Sequence, residues 1–113
     1  MQIQKNISLK RFNTFGINVR AKLFSTFSNV EELSELLLLP SGSINQLPPF
    51  VLGGGSNILF TQDYDGLVIK NEMTGIELVE ETTKHFYLKV AAGENWHRFV
   101  LYCIENNYAG VEN

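Results

Sequence analysis

Apolar residues recur at two different spacings along this chain, and each change of spacing marks an element. Within "AKLFSTFS", residues 22–27 alternate loosely and are β-favouring types, which predicts a short strand. Ser28 then opens a capping box with Glu31, and Val30, Leu33, Leu36 and Leu37 follow at helical spacing. The helix should stop near Leu39, because Pro40 disfavours helical geometry in the residue before it. "PSGSINQLPP" reads as a loop. "FVLGG" reads as a second strand, buried on both faces since it lacks polar alternation. A short strand at "ILF", a turn at "QDYDG" and an apolar strand at "LVIK" should follow.

From Gly75 onward the period changes. "GIELVEE" and "HFYLKVAAG" alternate around "TTK", the pattern of a β-hairpin with its turn at 82–84. A second helix should run from about Asn95 to near Asn107. Its Trp96, Phe99, Val100, Cys103 and Ile104 fall at i, i+3, i+4, i+7 and i+8, one apolar face expected to pack on the sheet. "YAGVEN" reads as a connection leading onward. The pattern is mixed, α/β or α+β: a small parallel βαβ unit, then antiparallel strands and a helix.

Composition narrows the partners more than the fold. A chain of 113 residues is one domain by length, and 44% hydrophobic with 19% charged content is that of a globular protein. Nine basic against twelve acidic residues, with no basic cluster, argue against a nucleic-acid groove or an anionic membrane surface. A single cysteine, Cys103, excludes an internal disulfide and fits a reducing compartment. The N-terminus lacks the apolar core of a secretory signal, and the leucine run 36–39 is too short to span a bilayer. A cytoplasmic protein is expected. No His, Cys and carboxylate cluster has metal-ligand spacing, so no metal is expected.

The candidate chemistry lies in "VLGGGSNILF", where three consecutive glycines interrupt an apolar run. Glycine in a strand context loses more backbone entropy than other residues and packs nothing, so something must need the bare backbone. A Walker A loop is excluded, because Gly55 is followed by Ser56, Asn57 and Ile58 rather than Lys and Ser/Thr. A dinucleotide G-x-G-x-x-G fails too, since position 58 is isoleucine and no helix pattern follows. Two readings fit the spacing equally: a nest of backbone N–H groups for a phosphate, with Ser56 and Asn57 adding donors, or a tight bend without a ligand.

Four stretches occurring together carry the reading further. "NTFGI", "LGGGSNILF", "DYDGLVI" and "AAGENWHRFV", in this order and spacing, resemble the N-terminal region of the MurB family of UDP-N-acetylmuramate dehydrogenases. The resemblance runs from about Ser8 to Asn113. It implies the α+β, PCMH/vanillyl-alcohol-oxidase type of FAD-binding domain, with residues 1–113 its N-terminal part. It also implies FAD held at its pyrophosphate by the backbone of Gly53, Gly54 and Gly55, with Ser56 and Asn57 completing the cradle. Asn13 and Thr14 would lie near the nucleotide or buttress the loop. The family enzyme uses NADPH as co-substrate and a UDP-sugar as substrate in peptidoglycan biosynthesis, and so serves cell-wall formation, cell shape and division. Its catalytic serine, carboxylate and arginine lie downstream of the matched region, so no catalytic residue is assigned here. The chain is expected to be an N-terminal fragment, inactive alone and open to self-association. The alternatives are the flavin-binding half of another PCMH-type oxidoreductase and a free-standing nucleotide-binding or interaction module without catalysis.

Other reactive residues have plainer readings. His97 is expected to be structural or solvent-exposed, His85 to lie in a separate element, and Cys103 to be a small core residue. Glu94 is assigned to the second helix terminus and Glu31 and Glu32 to the first turn of the first helix, where carboxylates suit the dipole. Tyr64 and Asp65 are assigned to a turn.

Overall fold

In the computed structural model, which describes residues 2–39 and 47–111, a four-stranded sheet and a hairpin are built in chain order. The elements are β1 (Gln4–Ser8), a 3-10 turn (Lys10–Phe12), β2 (Arg20–Phe27), α1 (Val30–Leu37), β3 (Phe50–Leu52), β4 (Tyr64–Asn71), β5 (Ile76–Glu81), β6 (Phe86–Val90) and α2 (Trp96–Glu105). The class is α+β, as expected. The chain divides into two compact units, Met1–Glu72 and Met73–Asn113. Most of the predicted loop "PSGSINQLPP" and the end of "YAGVEN" lie outside the described residues.

In the first unit the strand order is β1-β2-β4-β3, with β1 antiparallel to β2 and the other pairs parallel. The strand buried on both faces is β4, not β3. Leu67, Val68 and Ile69 are wholly buried, and β4 is a central strand with a neighbour on each side. β3 is the edge strand, and its Val51 is 54% exposed. "ILF" is no strand, because no ladder position beside β4 remains for it. It forms part of the return limb from β3 to β4, with Ile58 and Phe60 packed on the core and Leu59 exposed. That core is Leu9, Val19, Ala21, Phe24, Leu52 and Val68.

The expected turn at 62–66 is displaced as well. Tyr64 and Asp65 begin β4, where Tyr64 pairs with Ala21 and a register shift falls between Ala21 and Leu23. Asp63 accepts the Arg20 N–H at 2.8 Å, and Asp65 lies 3.9 Å from the Lys22 ammonium. These turn-forming residues therefore serve an irregularity in the ladder. The Tyr64 hydroxyl also donates to the Pro48 carbonyl. β1 gave no sequence signal: it is a polar edge strand whose Asn6, at φ +53°, is held by the Arg20 guanidinium at 2.9 and 2.8 Å.

α1 is capped one residue later than the Ser28–Glu31 pattern predicts. Asn29 Oδ1 accepts the Glu32 N–H and Glu32 Oε1 accepts the Ser28 N–H, both at 2.8 Å. Of its apolar positions only Leu36 is fully buried, while Val30 and Leu37 are exposed.

The second unit contains the β5–β6 hairpin, antiparallel as expected, with its turn closed by the Thr82 N–H donating to the His85 carbonyl at 2.8 Å. α2 begins after Asn95, whose side chain accepts the Arg98 N–H at 3.0 Å. The expected apolar face is only half realised. Phe99 and Cys103 are buried, but Trp96 is 63% exposed and Ile104 is exposed. Trp96 sits in the first turn with its ring beside Phe99, 5.5 Å between centroids, rather than beneath it. Glu94 does not cap the helix; its Oε2 accepts the Gly75 N–H at 2.6 Å and so ties the helix entry to the start of the hairpin.

Candidate functional site

β3 ends at Leu52, and the glycine loop leaves from the carboxyl end of a parallel strand, the end at which parallel sheets place their ligands. Residues 53–63 then connect β3 to β4 with no helix. The loop is held at one point. Gly55 is buried at φ +75°, and a Cβ there would lie 2.0 Å from the Phe12 carbonyl oxygen and 2.8 Å from Asn13 Cα. Only glycine fits both that conformation and that approach. The Gly55 carbonyl accepts the Thr14 N–H at 3.0 Å, which fastens the loop to the turn at 13–17.

Asn13 makes that turn rigid. Its buried side chain donates to the Leu9 carbonyl at 2.7 Å and the Ile17 carbonyl at 3.1 Å, and accepts the Ile17 N–H at 2.9 Å. With both amide protons and the oxygen engaged, Asn13 is a buttress, and Thr14 provides the contact through its backbone. Phe12, on which the sequence gave no hint, supplies the floor under Gly55.

Gly53 and Gly54 present the opposite case. Both are exposed, neither has a positive φ, and a Cβ on either would meet nothing within 4 Å. The fold itself does not require glycine at these two positions. Among the described residues, no backbone carbonyl receives an N–H from Gly54, Gly55, Ser56 or Asn57. Residues 50–58 line a cavity of about 230 Å³, which includes the exposed Ser56 and Asn57. Bare backbone, undedicated N–H groups, a hydroxyl and a carboxamide are the donor set a phosphate or diphosphate needs. A side chain at Gly53 or Gly54 would project into the open space, so the residues present fit such a group.

The remaining candidates play no part in this arrangement. His97 is exposed on α2, and His85 lies in the hairpin turn. Among the described residues, no three His, Cys, Asp or Glu side chains come together as a metal site, and no helix is long and apolar enough to cross a membrane.

Comparison with known proteins gives this geometry a context. Residues 21–113 match the family model described as FAD binding domain. Over its whole length the chain is 47% identical to a protein of Amoebophilus asiaticus, 46% to one of Flavobacterium johnsoniae and 41% to one of Chromobacterium violaceum. All three are named UDP-N-acetylenolpyruvoylglucosamine reductase, and the chain spans about a third of the length of each.

Proposed function

The chain belongs to the FAD binding domain family, and from that premise we propose that it supplies the diphosphate-holding part of the FAD site in a UDP-N-acetylenolpyruvoylglucosamine reductase. Such an enzyme reduces UDP-N-acetylglucosamine enolpyruvate to UDP-N-acetylmuramate with NADPH, in the cytoplasmic stage of peptidoglycan synthesis. One observation carries the assignment: Gly53 and Gly54 are glycines that the fold does not need, standing over open space beside N–H groups that no carbonyl of the described chain receives. Bare backbone over open space is what close approach of a bound anion uses, and this supports the reading.

In this reading the N–H groups of the glycine loop, with the Ser56 hydroxyl and the Asn57 carboxamide, bind and orient the diphosphate. Asn13 and Thr14 hold the loop against Phe12 so that its donors are preorganised. The bound flavin supplies the relay by which a hydride from NADPH reaches the enolpyruvyl double bond. Residues 1–113 contribute binding and orientation, and no proton donor to the substrate is assigned among them. The exposed apolar residues of the second unit, Val79, Phe86, Trp96, Leu101 and Ile104 among them, make self-association of the isolated chain a further part of the proposal.

The test compares the 113-residue chain with the full-length gene product. The full-length protein should retain flavin absorbance through gel filtration and oxidise NADPH when the UDP-sugar is added. The 113-residue chain should hold FAD weakly and turn over nothing, since a diphosphate cradle alone buries none of the isoalloxazine ring. Absence of bound flavin from the full-length protein, or turnover by the short chain, would refute the proposal.

A further inference from the structure

The residues lining the glycine cavity, 50–58, carry no charge, whereas the diphosphate of a dinucleotide is a dianion. Backbone dipoles can hold such a group, but a cation within reach strengthens the hold and selects for the charge. The sheet register places a lysine on the neighbouring strand. Leu52, the residue before Gly53, pairs directly with Lys70 on β4, and Phe50 pairs with Val68. Adjacent strands lie about 4.8 Å apart, so the Lys70 backbone is one strand spacing from the start of the loop.

The face is right as well. Residues paired across a ladder share a face, so Lys70 lies on the side of the sheet that carries Leu52, Val68 and Phe24. On that side Phe12 stacks on Phe24 with 4.8 Å between centroids, and the Phe12 carbonyl is the floor beneath Gly55. Of the other bases of the unit, Arg20 holds Asn6, Lys22 pairs with Asp65, Arg11 lies over the Phe12 ring at 4.7 Å, and Lys5 and Lys10 are exposed. Lys70 is half-buried, and among the described residues no carboxylate is within ion-pair distance of it. A half-buried lysine one strand from an uncharged anion cradle, with no acid to balance it, has a function if the anion is its partner.

We infer that Lys70 is the cation that neutralises the diphosphate held by the glycine loop, making this site selective for flavin dinucleotide over the uncharged flavin. The inference rests on the function proposed above, and the experiment separates the two.

Dissociation constants for FAD and for riboflavin, which lacks the diphosphate, are measured by flavin fluorescence on the full-length protein and on its Lys70→Met and Lys70→Arg variants. Lys70→Met should weaken FAD binding about tenfold, as loss of a charge-assisted contact does, and leave riboflavin binding unchanged. Lys70→Arg should keep most of the affinity. Added salt should weaken FAD binding to the unsubstituted protein more than to Lys70→Met. Unchanged FAD affinity in Lys70→Met, or equal losses for both flavins, would overturn the role of Lys70 and leave the glycine cradle standing. Failure of the unsubstituted protein to bind FAD would overturn the cradle and this inference together.

Discussion

At the scale of single residues, three adjacent glycines have two different surroundings. Gly55 is required by the chain, through its φ of +75° and its contact with the Phe12 carbonyl. Gly53 and Gly54 are not, since a side chain on either meets only open space. Gly55→Ala should therefore destabilise the protein by about 3 kcal/mol or more, as forced backbone strain with a steric clash does. Gly53→Ala and Gly54→Ala should leave stability within about 1 kcal/mol, and could raise it slightly by restricting the unfolded chain, while lowering affinity for FAD. Urea denaturation and flavin titration of the three variants check the split. A second pair of residues reverses the ranking that helical spacing suggests. Trp96 is largely exposed and Phe99 is 8% exposed. Trp96→Ala should cost no more than about 1 kcal/mol and Phe99→Ala about 3–4 kcal/mol in the same unfolding measurement on the 113-residue chain. Equal losses would mean that the Trp96 ring is packed in solution.

At the scale of elements, what the sequence disclosed followed local physics closely. The β5–β6 hairpin was legible because alternation and a polar turn agree. α2 was legible because an asparagine cap precedes a helical period, and β2 because β-favouring residues cluster there. Errors arose where a neighbouring element decided the outcome. "ILF" has the composition of a strand, but β4 is already flanked by β2 and β3, so the segment runs extended over the core with no ladder. Edge position, which no local pattern announces, exposes Val51 in β3 and permits the polar β1. The shifted cap of α1 is a closer contest, since Ser28 with Glu31 and Asn29 with Glu32 both satisfy the spacing rule. The observed hydrogen bonds make a clean test. Asn29→Ala should lower stability by about 1 kcal/mol, while Ser28→Ala, which removes a hydroxyl and leaves the N–H donated to Glu32, should be nearly neutral by thermal unfolding. The reverse order would return the cap to Ser28.

At the scale of the molecule, the sheet of the first unit fixes where the glycine loop begins. The turn around Asn13 and the edge strand β3 converge on Gly55 from separate parts of the sequence, and the return limb is pinned by Ile58 and Phe60. The glycines and their family were legible in the sequence, but their division of labour was not, because it depends on Phe12 and Asn13 some forty residues earlier. The measurement that bears most directly on this account is an NMR titration of the 15N-labelled chain with ADP, and separately with adenosine, at millimolar concentrations that reach weak binding. The backbone amides of residues 53–57 should show saturable shifts with ADP and none with adenosine. Amides of the glycine loop that stay still, or that move alike with both compounds, would contradict it.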